Sequence, residues 1–179
     1  AESLVLFINT NIADGIIGEN LLAQNHIDQI LERIAGSEQE TTARKSAVRA
    51  VSCASARAAA KHLGLSLYQY LGGVRIQSCP ALRIAIPEEK RPGAQCQILM
   101  DRWKEQYPKT KICVEKKETD TEKIIEPGWY STVTQCMKDI GDWKENGKKQ
   151  IILKDTEYVT DSFLIDLAVA SGVYSLELR

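Results

Sequence analysis

The chain has 179 residues, 44% hydrophobic and 26% charged, with a net charge of −1. This is a soluble globular composition with length for one or two domains and a buried core, and its near-neutral charge excludes electrostatic attraction to nucleic acid or an anionic membrane. No apolar run approaches the ~20 residues of a membrane span and no basic-then-apolar leader is present, so the sequence reads as cytosolic.

In chain order, Ser3 to Ile17 is apolar but irregular and predicts a frayed helix or connector reaching Gly15 and Gly18. Asn25, with Asp28 three residues on, predicts an N-cap for a helix whose buried stripe is Ile27, Ile30, Leu31 and Ile34 and which Gly36 ends. Ser37 to Thr42 reads as a polar loop. Ala43 to Leu63 predicts a long alanine-rich helix with Val48, Val51, Ser55, Ala58, Ala59 and His62 on one face, closed by Gly64. A short amphipathic helix, Leu67 to Leu71, ends at Gly72-Gly73, which marks the expected domain boundary. A further helix is expected to carry Cys96, Leu99, Trp103 and Gln106, ahead of the apolar run Ile112-Cys113-Val114.

The stretch from Ile124 to Leu178 then predicts three strands with two helices between them. Ile124-Ile125 is a short apolar run stopped by Pro127-Gly128. Val133, Cys136, Met137, Ile140 and Trp143 recur at helical spacing up to Asn146-Gly147. Ile151-Ile152-Leu153 is a continuous apolar run of the kind buried on both faces of a parallel sheet. Thr160 or Asp161 is expected to cap a second helix, with Phe163, Leu164, Leu167, Ala168 and Ser171 on one side and Gly172 at its end. Tyr174, Leu176 and Leu178 alternate with Val173, Ser175 and Glu177 as the last strand. The unit is βαβαβ, with its three strands side by side and parallel.

Five cysteines, Cys53, Cys79, Cys96, Cys113 and Cys136, are odd in number, widely spaced and without a C-x-x-C pair, which argues against a disulfide framework or a zinc site. The only histidines, His26 and His62, fall on separate N-terminal helices. The mixed charge runs Glu88 to Arg91 and Lys116 to Glu122 read as solvated surface.

The ungapped run from Thr132 to Phe163 resembles the enolase segment that passes from a Thr-Val-Thr-Glu helix start, through an Asn-Gly turn, to a Glu-Asp-Thr-Phe helix start. Phe163-Leu164-Ile165-Asp166-Leu167-Ala168-Val169 is similar to the enolase helix Phe-Ile-Ala-Asp-Leu-Ala-Val. Near the other end, Ala50-Val51-Ser52-Cys53-Ala54 and Leu67 to Gly73 resemble the enolase Ala-Val-Ser-Leu-Ala helix and its Pro-Leu-Tyr and Leu-Gly-Gly sequel. Gly36 to Glu38 falls where enolases have an Asp-Gly-Thr turn. Cys79-Pro80-Ala81-Leu82 is similar to their barrel entry Val-Pro-Ala-Phe, and Tyr107-Pro108 with Ile112 to Glu115 to their Tyr-Pro and Ile-Glu-Asp-Pro. The resemblance implies an N-terminal mainly helical capping domain over residues 1–73 and part of an enolase-type (β/α) barrel over 74–179. A closed barrel needs ~200 to 250 residues and only about a hundred follow Gly73. The resemblance thus implies segments absent near residues 74–94 and 116–122.

Enolases abstract a proton beside the carboxylate of 2-phosphoglycerate with a lysine base while two magnesium ions stabilise the enediolate. Carried over position by position, the base falls on Glu126, the Ser-His-Arg-Ser anion grip on Leu153-Lys154-Asp155-Thr156, and the second lysine on Glu177. The Ile-Glu-Asp-Pro metal position falls on Glu115 or Val114, depending on a one-residue shift. The enolase groups total +3, whereas Glu126, Lys154, Asp155 and Glu177 total −2, so a phosphoester is repelled. At ~4 Å and an effective dielectric of ~20, each unit pair is worth about 4 kcal/mol, orders of magnitude in affinity. The plainer reading takes Glu126, Lys154 and Glu177 as polar strand-end residues, with Lys154 and either glutamate in an exposed pair worth at most ~1 kcal/mol.

These substitutions point to a catalytically degenerate enolase-like protein used as a structural or interaction subunit. The chain also resembles the sperm and ciliary enolase-like paralogues, which implies a cytoplasmic place, in a ciliary or flagellar axoneme. The expected partners are proteins of a larger assembly, or a second copy as in enolase homodimers. No cofactor is expected, and Mg2+ only if enolase activity is retained. The rival readings are an active phosphopyruvate hydratase with its ligands in absent segments, and a metabolite sensor on the same scaffold.

Overall fold

The computed structural model describes residues 2–36, 42–76, 83–87, 101–102, 104–105, 108, 111–115, 123–146, 151–155, 163–173 and 175–178. They form two compact units, one of residues 1–67 with 129–138 and the other of 68–128 with 139–179. The expected boundary at Gly73 and the observed one between Leu67 and Tyr68 differ by one short helix, and the first unit also takes a distant segment.

In the first unit the N-terminal stretch is continuous helix: α1 (Glu2–Phe7), a π-helical segment (Ile8–Ile12) and α2 (Ala13–Ile16). The π-helical turns explain why its apolar spacing reads as irregular, since they shift every later residue around the axis. Phe7 and Ile12 are buried with Ile27, Leu31, Ala35, Ala47 and Val48, so this stretch is core and not a frayed connector. Helix α3 (Gln24–Ala35) begins after Ala23, which makes no side-chain cap bond, and the expected cap Asn25 lies inside the helix. Its stripe is as expected, with Ile27, Ile30 and Leu31 buried and Ile34 partly so.

Helix α4 (Thr42–His62) buries Ala47, Val48, Ser52, Ser55, Ala56, Ala59 and Ala60, while Ala58 and His62 are exposed. The buried face is therefore turned from the expected one. An alanine-rich sequence marks its faces weakly, because a methyl group is tolerated on either side. Gly64 ends the helix at φ +68°, where Leu65 N–H donates to Ala60 O and Gly64 N–H to Lys61 O.

The second unit starts with α5 (Leu67–Gly72), nearly all of which it contains, and holds a five-stranded sheet. The strands are β1 (Arg83–Pro87), β2 (Lys111–Glu115), β3 (Lys123–Ile125), β4 (Ile151–Asp155) and β5 (Ser175–Leu178), in the order β2-β1-β5-β4-β3 and all parallel. The three strands of the predicted βαβαβ unit are thus neighbours as expected. Helix α6 (Val133–Glu145) follows a 3-10 turn at Pro127–Trp129 and buries Val133, Cys136 and Ile140; its residues are divided between the two units. Helix α7 (Phe163–Ser171) packs on β4 and β5 and is buried from Leu164 to Ala170, all round and not on one side only. Gly172 at φ +64° ends it, with Val173 N–H on Ala168 O and Gly172 N–H on Val169 O.

Asp101, Arg102, Lys104 and Glu105 are helical, within the helix expected to carry Cys96, Leu99, Trp103 and Gln106, which themselves lie outside the described residues. Also outside are the loop 37–41, Cys79-Pro80-Ala81-Leu82, Tyr107, the run 116–122, Gly147, Thr156, the cap Thr160 or Asp161, and Tyr174. No described helix is long and apolar enough to cross a membrane.

Candidate functional site

The register of the sheet decides which predicted site residues meet. Ile125 is level with Leu153, and Leu153 with Leu176; all three side chains are fully buried. One residue further on, Lys154 is level with Glu177, Glu177 with Ala85, and Ala85 with Cys113. Continuing the β3–β4 register by one residue sets Glu126 level with Lys154. Three of the predicted positions, from three strands, therefore share one row at the C-terminal side of a parallel sheet, where α/β folds place their ligand sites. Side chains alternate along a strand, so Lys154 and Glu177 lie on the face opposite Leu153 and Leu176.

Lys154 Nζ lies 3.0 Å from Glu177 Oε1, with the lysine side chain 6% exposed and the glutamate 20%. Of the expected exposed pair between Lys154 and either glutamate, the pairing is found, with Glu177, and the exposure is corrected: the pair is mostly buried. Two adjacent parallel strands hold the two Cα atoms level. Glu126, just past β3, is half-buried. The ammonium already faces a carboxylate, so what the row offers a ligand is the remaining negative charge of Glu126.

Asp155 takes the next register position, opposite Leu178, and so falls outside the row. Glu115 ends β2 opposite Pro87, two positions beyond Cys113, with Val114 opposite Ile86. Magnesium demands near-octahedral oxygen ligands. Among the described residues no three His, Cys, Asp or Glu side chains converge as metal ligands, and the Glu177 oxygen of the row faces an ammonium. The described residues of the row do not fit a divalent cation. His26 is exposed, with Nε2 3.0 Å from Glu19 Oε2, while Cys53 and Cys136 are not disulfide-bonded.

A second polar cluster, in the first unit, was not legible as a site. Asp28 is fully buried. Its Oδ1 accepts from Ser52 Oγ at 2.6 Å and Gln24 Nε2 at 2.9 Å; its Oδ2 accepts from Thr134 N–H at 3.0 Å and Thr134 Oγ1 at 2.6 Å. Ser52 Oγ in turn accepts from Val133 N–H at 3.0 Å, and Thr132 Oγ1 accepts from Gln135 N–H at 3.2 Å while donating to Glu32 Oε1 at 2.7 Å. The first amides of α6 are thus capped by α3, α4 and its own Thr132. Two weak signals pointed this way: an aspartate inside the apolar stripe of α3, and a serine at mid-helix in α4.

Residues 1–71 match the family model described as enolase, N-terminal domain. That match covers α1 to α4 and nearly all of α5, and it supports the enolase family for this chain.

Proposed function

We propose that this is an enolase-like protein without enolase activity, serving as a structural or interaction subunit. The observation that carries the reading is the row Glu126, Lys154 and Glu177, in which the one cation is paired inside the protein at 3.0 Å. A base for the carbon acid of 2-phosphoglycerate needs a proton affinity matched to the task, and a carboxylate at the base position is poorly matched. A phosphoester needs uncompensated cations, and the row supplies a net negative charge. On this reading no magnesium is bound.

The sheet order supports an incomplete barrel as the architecture. The first strand pairs with the last, the neighbour relation of a closed (β/α) barrel, while β2 and β3 are the outer strands among those described. The same reading assigns the protein to a ciliary or flagellar axoneme, among protein partners or as a homodimer; the resemblance to sperm and ciliary enolase-like paralogues is its support.

The test is an assay of 2-phosphoglycerate dehydration with magnesium present, paired with calorimetry for binding. No turnover above background and no heat of binding are expected. Turnover that is lost in Glu126→Gln overturns the reading and makes the protein an enzyme with a carboxylate base.

A further inference from the structure

We propose that Asp28 is a latch that decides whether the segment 129–138 is docked on α3 and α4, and that its release opens this segment locally while the helices remain folded. The inference stands apart from the functional reading above.

A helix N-terminus exposes amides without intrahelical partners and attracts negative charge. Most helices meet this need with a residue next in sequence. In α6 the amide of Thr134 is held by a carboxylate 106 positions earlier in the chain, and that of Val133 by a hydroxyl 81 positions earlier. Only the Gln135 amide uses a neighbour, Thr132 Oγ1. Four donors satisfy the two oxygens of Asp28, while Gln24 Oε1 in the same cluster is buried without a hydrogen-bond partner among the described residues. Its two halves are Gln24, Asp28, Glu32 and Ser52 on the helical side and Thr132, Val133 and Thr134 on the segment. Every bond between those halves is directional and made by a side chain, so they break together when the segment moves.

Opening costs the segment little in hydrogen bonds, because freed amides and hydroxyls at a helix start are readily taken up by water. The helices α3 and α4 keep their apolar contacts in the open form, since Phe7, Ile12, Ile27, Leu31, Ala35, Ala47 and Val48 form their own cluster. Opening also exposes the buried side chains of Val133 and Cys136, so it is a sub-global event with a free-energy cost of its own. The chain enters the latched segment from Glu126 through the turn Pro127–Trp129.

The test is amide hydrogen exchange on the full chain. Asp28→Asn, which places a donor where an acceptor is needed, is expected to speed exchange of the Val133 and Thr134 amides about 10- to 100-fold. The interior amides of α4, such as those of Ala56 and Ala59, should keep their wild-type rates. Gln24→Ala, which removes a bond to the same carboxylate without touching α6, should leave Val133 and Thr134 nearly unchanged. If Asp28→Asn does not fold, Ser52→Ala gives the same readout at Val133. Acceleration spread evenly over α3, α4 and α6, or unchanged exchange at Val133 and Thr134, overturns the latch.

Discussion

Lys154 and Glu177 are level across the β4–β5 ladder and their side chains meet at 3.0 Å, the lysine almost wholly out of water. A buried ion pair contributes less net stability than its Coulomb attraction suggests, but breaking it from one side is costly. Glu177→Gln leaves the buried ammonium facing a neutral amide and is expected to cost about 2 to 4 kcal/mol. Lys154→Met should cost less, because the carboxylate it leaves behind is 20% exposed and reaches water more easily. Replacing both with apolar residues should cost less than the Glu177→Gln change alone. Urea unfolding of the four proteins checks this; additive losses would show that the two residues do not act as a pair.

The parallel trio β3, β4 and β5 was legible because Ile124-Ile125, Ile151 to Leu153 and the alternating Val173 to Leu178 leave little choice of element. What escaped was register. Nothing in a list of strand ends says that Glu126, Lys154 and Glu177 fall level while Asp155 does not; one residue of slip would have exchanged them. The Asp28 cluster escaped for a related reason. Asp28, Ser52 and Thr134 lie far apart in sequence, and each alone has an ordinary helical explanation. The N-terminal helix is hard to see in the sequence because π-helical spacing around Ile8–Ile12 matches neither a 3.6-residue nor a two-residue period.

The true face of α4 gives a second prediction. Ala59 is fully buried and Ala58 is exposed, although they adjoin in sequence. Ala59→Leu should over-pack the interior and lower stability by about 1 to 3 kcal/mol, while Ala58→Leu should stay within about 0.5 kcal/mol of wild type. Thermal melts of the two variants decide it, and equal effects would mean the helix is rotated from the face assigned to it.

The end of α7 offers a third. Gly172 sits at φ +64°, and Lys144 Nζ donates to the carbonyls of Ser171 and Gly172 at 2.8 and 3.0 Å, placing a cation at the negative end of the helix. Gly172→Ala forces a side chain into the left-handed region and should cost about 1 to 2 kcal/mol. Lys144→Met removes a favourable charge at the helix end and should cost about 0.3 to 1 kcal/mol, with the loss shrinking at high salt. A Lys144→Met effect that does not change with salt would mean the ammonium acts there through packing and not through charge.

Restoring lysine where enolases carry it should not restore their chemistry. Glu126→Lys supplies a base at the end of β3, but an ammonium at neutral pH must first lose its proton, and the row contains no second unpaired cation to help it. Glu177→Lys is worse, because it sets a second ammonium against Lys154 in place of the carboxylate at 3.0 Å. Like charges in a poorly hydrated site repel by several times their value in water, so the single variant should lose more stability than Glu177→Gln. The double variant Glu126→Lys with Glu177→Lys is therefore expected to be less stable than wild type and to show no turnover of 2-phosphoglycerate with magnesium. Dehydration by that variant at any rate above the no-enzyme background would mean that the row already holds the rest of an enolase site, and the reading of this protein as a non-catalytic subunit would fall.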